Sequence, residues 1–322
     1  MIPERILAVA RMQRYIAEHL DEEICLADLG NVAQYSMFHA ARIFREEVGV
    51  TPFEAIRAMR LTRAARDLQA SGQRVSDIAV GSGFGSLDGF TRAFVRRFSI
   101  TPSAYRDEVP PVKWFISYPV EDYYRLKVPD AHRRLERSEQ DPGAKEREEN
   151  GFMEKMDRTM TVTAVERPAR KLLLMRAKKA TAEQGYLAVA EELGCDWEGY
   201  VNSIPERLQE AGLMSLSGAL LVDGATDAAV GTELPLDYDK KIPEGFEVLT
   251  LPPVTMLFFQ GAAYENEEDF CEAIGILWEL MDAYDPSLYG WEYASELAPC
   301  YNFGASAKSG ALMARPVKRI SR

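Results

Sequence analysis

Residues 75–102 read VSDIAVGSGFGSLDGFTRAFVRRFSITP, and this order of residue types decides the architecture of the first third of the chain. A short apolar-periodic run from Val75 to Val80 ends in Gly83-Phe84-Gly85, where glycines let the chain turn sharply. Ser86 follows, and a serine oxygen can accept from the unsatisfied N–H groups that open a helix. Phe90, Phe94 and Phe98 then recur every fourth residue, which lines three rings along one helical face. Ser99-Ile100-Thr101-Pro102 closes the stretch with a stop and a new cap. Short helix, turn and capped longer helix together are helix-turn-helix grammar.

The same grammar occurs once before. Residues 26–52 match residues 75–102 at an offset of 49, which becomes 50 after one inserted residue. Leu26, Asp28, Leu29 and Tyr35 fall on Val75, Asp77, Ile78 and Phe84. Ser36, Arg42, Phe44, Val48, Thr51 and Pro52 fall on Ser86, Arg92, Phe94, Phe98, Thr101 and Pro102. Between the units, Thr51-Pro52-Phe53-Glu54 places Thr at N-cap, Pro at N1 and Glu at N3, a capping box with preset φ. The helix it opens carries Ile56, Leu61, Ala64, Ala65 and Leu68 on one face and stops near Ser71-Gly72. A connector of this kind would hold two readers over successive major grooves, about 34 Å apart.

These residues, from 1 to about 106, resemble the DNA-binding domain of AraC/XylS-type transcriptional regulators, including the closing Phe98-Ser99-Ile100-Thr101-Pro102-Ser103-Ala104-Tyr105-Arg106. The resemblance implies recognition helices over 36–48 and 86–98, with Phe44, Val48, Phe90, Phe94 and Phe98 in the core. It implies a groove-facing set of Phe38, Ala41 and Arg42 in the first helix and Leu87, Asp88, Thr91 and Arg92 in the second. Arg can bond guanine O6 and N7 together, and Thr91 or Phe38 can touch a thymine methyl. Arg45, Arg57, Arg60, Arg63, Arg96 and Arg97 are expected at phosphates, which fix register without reading sequence. Three departures stand out. Ala40-Ala41 leaves the first reader few hydrogen-bonding tips, and Gln34 sits at a turn position that is often glycine. Asp88 puts a carboxylate toward an anionic groove, where it accepts from cytosine N4 or favours the helix N-terminus.

The charge distribution fits this division. The whole 322-residue chain has 38 Lys+Arg and 50 Asp+Glu, a net −12, which by itself argues against nucleic acid. Residues 1–106 hold 14 Arg, no Lys and 12 acids, so they carry +2 and the remainder −14. A hydrophobic content of 47% with 27% charged residues excludes disordered, collagen-like and disulfide-scaffold classes. No secretory h-region and no apolar run of membrane-spanning length is present, so a cytoplasmic protein with no membrane partner is expected. Cys25, Cys195, Cys271 and Cys300, and His19, His39 and His132, lack metal-ligand spacing, so no metal and no cofactor is expected.

The expected organisation is a multidomain chain: an all-α double helix-turn-helix domain over 1–108, a charge-rich linker over 109–158, and an α+β domain over 159–322 built from a duplicated β-α-β-β type unit. In the last part, 160–165, 171–177, 219–222, 246–251, 255–260, 300–303 and 311–317 read as strands. Residues 197–211 and 270–284 read as amphipathic helices. The runs Met160-Thr161-Val162-Thr163-Ala164-Val165, FEVLTLPPVTMLFFQG (246–261) and Arg315-Pro316-Val317-Lys318-Arg319 resemble the GyrI-like effector-binding domain found in multidrug-responsive regulators. That resemblance implies a cleft for a small hydrophobic or aromatic effector, lined by Trp291, Tyr293, Glu296, Tyr301, Asn302 and Phe303. Asn302 stands where many members place a buried glutamate for a cationic ligand, so either the ligand is neutral or Glu296 substitutes.

Together the two resemblances imply a regulator whose partners are promoter DNA, a small effector and RNA polymerase, with no catalytic residue. The alternative is a GyrI-like hydrolase, with Glu296 as its available acid or base, or a protein that sequesters toxic hydrophobic compounds.

Overall fold

The computed structural model describes residues 2–127, 157–194 and 196–320. The part of the expected linker from 128 to 156 lies outside the described residues, as does Cys195. The chain divides into two compact units: Met1–Val128 with Glu198–Ile204, and Pro129–Trp197 with Pro205–Arg322.

The first unit is helical: α1 (Glu4–Glu18), α2 (Leu26–Ala33), α3 (Met37–Val48), α4 (Pro52–Ala70), α5 (Val75–Gly81), α6 (Leu87–Phe98), α7 (Pro102–Glu108) and α8 (Val120–Lys127). Both serine caps form: Ser36 Oγ accepts from His39 N at 3.4 Å and Ser86 Oγ from Gly89 N at 3.1 Å. The capping box closes too, with Thr51 N donating to Glu54 Oε2 (2.8 Å) and Glu54 N to Thr51 Oγ1 (3.3 Å). Two apolar cores result. One gathers Val9, Met12, Ile16, Leu29, Ile43 and Phe44; the other gathers Leu61, Leu68, Ile78, Phe90, Phe94, Phe98 and Tyr105. α4 feeds Ala55 and Ile56 into the first core and Leu61, Ala64, Ala65 and Leu68 into the second, so one connector serves both repeats. The unit runs past residue 108. Val112 and Trp114 are buried in the second core and Val120 in the first. Phe115 N donates to Thr62 Oγ1 (2.8 Å), and Arg66 lies 4.8 Å from the Trp114 ring centroid.

The second unit is built on one antiparallel sheet in the order β1-β6-β9-β8-β3-β4-β2-β5, with β7 also on β9. Its strands are β1 (Met160–Arg167), β2 (Arg170–Arg176), β3 (Gly212–Ser215), β4 (Ala228–Leu234), β5 (Glu247–Leu251), β6 (Val254–Gly261), β7 (Trp291–Tyr293), β8 (Cys300–Ser306) and β9 (Gly310–Arg319). Helices α9 (Gly185–Leu193) and α10 (Phe270–Asp282) follow β2 and β6. The sheet reads symmetrically from its centre, where β3 meets β8 through Met214 opposite Tyr301. On one side lie β3-β4-β2 and edge strand β5; on the other lie β8-β9-β6 and edge strand β1. Each edge strand precedes in sequence the opening strand of one half and pairs with that of the other.

Period-two alternation gives the sheet two faces. Leu257, Phe259, Met313 and Val317 pack with Leu277 and Met281 of α10. Leu172, Leu174, Met214, Ala229, Leu251, Met256 and Tyr301 form the opposite core. Gly231 is obligatory in β4, because a Cβ there would collide with the Leu173 carbonyl oxygen on β2.

Two expected elements differ. Residues 219–222 are not a strand: Gly218 (φ +57°) opens a 3₁₀ turn, Gly218–Leu220, instead. The helix expected over 197–211 ends at Asn202, because Pro205 lacks an N–H and disfavours helix in the residue before it.

Candidate functional site

The surface that could meet DNA is built on α3 and α6. Each helix buries its every-fourth-residue stripe: Ala40, Ile43 and Phe44 in α3, and Phe90, Phe94 and Phe98 in α6. In α6 the rings also contact one another, Phe90–Phe94 at 5.6 Å and Phe94–Phe98 at 4.7 Å between centroids, with Tyr105 5.6 Å from Phe94. Burial pushes the Tyr105 hydroxyl up to about 12. Helix geometry then turns the remaining residues outward. Phe38 is 74% exposed, Met37 43% and Leu87 46%, unusually high for such large apolar side chains. Arg42, Arg45, Asp88, Arg92 and Arg96 are exposed, and Ala41 and Thr91 are half-buried between them.

The two faces differ in chemistry. Arg42 Nη2 bonds His39 Nδ1 at 2.9 Å, and Arg42 Nε stands 4.0 Å from Glu46 Oε1. A guanidinium has no lone pair to accept with, so His39 Nδ1 is the acceptor and a neutral His39 carries its proton on Nε2. Tyr35 packs on the same imidazole at 4.6 Å. Arg92, the equivalent of Arg42, has no hydrogen-bond or ion-pair partner among the described residues. Asp88 lies in the first turn of α6, where a carboxylate favours the positive end of the helix dipole.

Among the six arginines expected at phosphates, Arg60 and Arg63 are committed elsewhere. Arg60 Nε donates to Leu20 O (2.9 Å) and Arg60 Nη2 to Glu22 O (2.5 Å). Arg63 pairs with Asp21 and donates to Gly81 O (3.2 Å). Arg60 thereby satisfies two carbonyls of the turn between α1 and α2, and Arg63 the last carbonyl of α5, which fastens α4 to its neighbours. Arg45, Arg57 and Arg96 keep exposed side chains.

In the second unit the structure separates the six residues expected to line one cleft. Tyr301 and Phe303 stack on one face of β8, 5.4 Å apart. Asn302 points to the other face, opposite Met313, and its Oδ1 accepts from Gly304 N at 2.9 Å. Trp291 and Tyr293 lie on β7 on that helix-covered side. Their rings are already occupied: Arg319 sits 3.7 Å over Trp291, and Arg315 stands 5.5 Å from both Tyr293 and Trp278. Glu296 is exposed and accepts from Lys318 Nζ at 3.1 Å. Its own backbone N–H and then Lys318 hold its carboxyl below the usual range, so it stays ionised rather than serving as a proton donor.

Sequence reasoning missed the buried carboxylate of this unit. It is Glu233 on β4, fully buried, with Oε2 2.7 Å from Arg170 Nε and Oε1 accepting from Tyr301 Oη at 2.8 Å. Burial first, and then the adjacent Glu233 charge, drive the Tyr301 hydroxyl well above its ordinary value. Among the described residues no group of His, Cys, Asp or Glu could hold a metal ion, and no helix is long and apolar enough to cross a membrane.

Comparison with known proteins places the helical part. A helix-turn-helix domain family matches residues 29–108. The uncharacterized HTH-type transcriptional regulator YbfP of Bacillus subtilis is 38% identical over 121 residues, 38% of this chain and 40% of its own length. The chain therefore spans less than half of that relative. The transposon Tn10 TetD protein of Escherichia coli is 39% identical over 29% of this chain and 67% of its own. The probable transcription factor PqrA of Proteus vulgaris is 36% identical over 30% and 81%. Among solved structures, the DNA-binding domain of AdpA, crystallised with a target DNA, is 29% identical with a TM-score of 0.30, covering 31% of this chain and 89% of that one. With two relatives matched across at least two thirds of their length and the helix-turn-helix model laid over α2 to α7, the chain belongs to the AraC-type family of DNA-binding transcriptional regulators.

Proposed function

We propose that the chain is a one-component regulator in which the first unit binds promoter DNA through α3 and α6 and the second binds a small effector. The observation that carries the DNA reading is the pair of serine-capped helices on one connector, each burying one stripe and exposing the other. Arg92 and Thr91, with Leu87 and Asp88, are the base-reading set of α6, and Phe38, Ala41 and Arg42 that of α3. Arg45 and Arg96 flank them toward phosphate. A net charge near +2 over residues 1–106 gives modest affinity with a steep salt dependence. RNA polymerase is the protein partner this activity calls for.

The effector reading of the second unit, as a GyrI-like domain, draws its support from the two-fold sheet. Its two halves meet at β3 and β8, and Tyr301 and Phe303 stack on the face away from α10. Transcriptional output changes only as far as the effector binds two states of the protein unequally.

Gel-shift titration of the full chain on DNA from upstream of its own coding sequence tests the first half of the proposal. Binding that prefers this DNA over scrambled sequence at moderate salt, and that Arg92→Ala weakens, supports it. Equal binding to both sequences sinks it.

A further inference from the structure

In the second unit, several features that would attract a cation are already filled by a cationic side chain of the chain. The buried Glu233 carboxylate is taken by Arg170, itself fully buried, and by the Tyr301 hydroxyl. Glu247, on the same sheet face at the β5 edge, pairs with Arg176. The rings of Trp291, and of Trp278 and Tyr293, carry Arg319 and Arg315. The exposed Glu292 and Glu296 share Lys318. At these places a cationic ligand would have to displace a guanidinium or an ammonium to find a charge partner. Desolvating a cation without such a partner is costly.

The face around Phe258 and Phe303 also carries an arginine, and differs in what that arginine lacks. Phe303 and Phe258 lie nearly parallel, 12° apart and 6.3 Å between centroids, continuing the Tyr301 stack across β8 and β6. Both rings are only partly buried. Arg167, from the end of β1, brings its guanidinium carbon 5.4 Å from the Phe258 centroid on this same face. Its Nε is buried and, among the described residues, makes no hydrogen bond and has no carboxylate within ion-pair distance. A buried N–H without an acceptor costs free energy until something supplies one, and a guanidinium fits a carboxylate with two parallel hydrogen bonds. The geometry points to a planar aromatic carboxylate as the ligand class of this face, its ring on Phe258 and Phe303 and its anion on Arg167. This rests on the effector reading of the second unit and goes beyond it by assigning ring site, anchor and sign of charge.

Three anthracenes with one ring system and three charges test it on the full chain by fluorescence titration near pH 7: 9-anthracenecarboxylate, 9-anthracenemethanol and 9-(aminomethyl)anthracene as its ammonium. The expected order is carboxylate tightest and ammonium weakest, separated by about tenfold or more, the scale of a charge-assisted hydrogen bond. Arg167→Met should bring the three within about threefold of one another. Arg167→Lys, which keeps the charge and is the safer substitution for folding, should preserve the order with a smaller spread. Phe303→Ala should weaken all three together. An ammonium that binds the natural chain as tightly as the carboxylate, or a charge preference that survives Arg167→Met, overturns the inference and leaves the effector reading standing. Failure of all three probes to bind up to their solubility limits overturns the ring site, and with it the inference.

Discussion

The two helix-turn-helix repeats of the first unit share a backbone plan and differ in how firmly each is made. The turn of the second repeat uses Gly83 at φ +73°, where left-handed backbone is free of strain for glycine. The first repeat places Gln34 at φ +60° in the equivalent spot, and a residue with a Cβ is disfavoured there by about 1 kcal/mol. Among the described residues, the second core holds five buried aromatic side chains, Phe90, Phe94, Phe98, Tyr105 and Trp114; the first holds one, Phe44, with Tyr15, Phe115 and Tyr124 partly buried at its margin. Their outer faces differ in the opposite sense. Arg42 is held by His39 and Glu46, and Arg92 has no partner among the described residues. One repeat is well packed and leaves its exposed Arg92 unengaged among the described residues, and the other is more loosely specified and tethers Arg42. The base-reading energy should therefore be concentrated in α6.

Core substitutions should expose the packing difference most strongly. Phe44→Ala and Phe94→Ala are equivalent by repeat and each removes a fully buried ring, so each should cost about 3–5 kcal/mol in urea denaturation. Phe94→Ala should cost about 1 kcal/mol more, because it also forfeits ring contacts with Phe90, Phe98 and Tyr105. Equal losses would mean that the aromatic row adds nothing beyond its area.

The readers come next. In quantitative footprinting, Arg92→Ala should weaken operator binding by about 1–3 kcal/mol and relax preference at one base pair. Arg42→Ala should do less, since His39 and Glu46 already engage that guanidinium. A larger effect from Arg42 would reverse the assignment of the dominant reader. The turn is a third contrast. Gln34→Gly should raise stability by up to about 1 kcal/mol. Gly83→Ala should lower it by more, because φ is positive and the new Cβ would stand 3.0 Å from Arg60 Nη1.

Much of this was legible in sequence because its signals are local. Ser36, Ser86, Thr51-Pro52 and the Phe90-Phe94-Phe98 spacing act within one or two helical turns, and each did in the fold what its spacing dictates. The groups that were not legible depend on distant partners. Nothing near Arg60 or Arg63 in sequence announces that carbonyls of Leu20, Glu22 and Gly81 are waiting for them. β4 reads Ala-Ala-Val-Gly-Thr-Glu-Leu, with a glycine and a glutamate that argue for a turn or an exposed edge. It is fully buried because Gly231 admits the close approach of β2 and because Arg170, on that strand, neutralises Glu233. The aromatic cleft residues suffered similarly. Trp291 and Tyr293 satisfy a compositional expectation, but strand alternation and the arginines of β9 decide which face they serve.

The smallest contrast concerns the starts of α4 and α7, which open the segments after the two recognition helices. Thr51 and Thr101 cap both helices, but only α4 has a glutamate at its third position; α7 has Ala104. The backbone N–H of Thr51 and then its hydroxyl hold the Glu54 carboxyl below its ordinary value. A carboxyl depressed in the folded state adds stability above its unfolded pKa and loses it as pH falls through the folded one. The α4 start should therefore weaken on acidification below about pH 4.3, the ordinary glutamate value. The α7 start, capped only by a hydroxyl, has no such dependence of its own. Hydrogen exchange should show protection of the Thr51 and Glu54 amides falling between pH 5 and pH 3 relative to the Ala104 amide. Glu54→Gln should flatten that difference, since a neutral amide caps with the same geometry and does not titrate. If the two helix starts lose protection in parallel in both proteins, the box contributes no charge-dependent hold and the repeats are equivalent at this point.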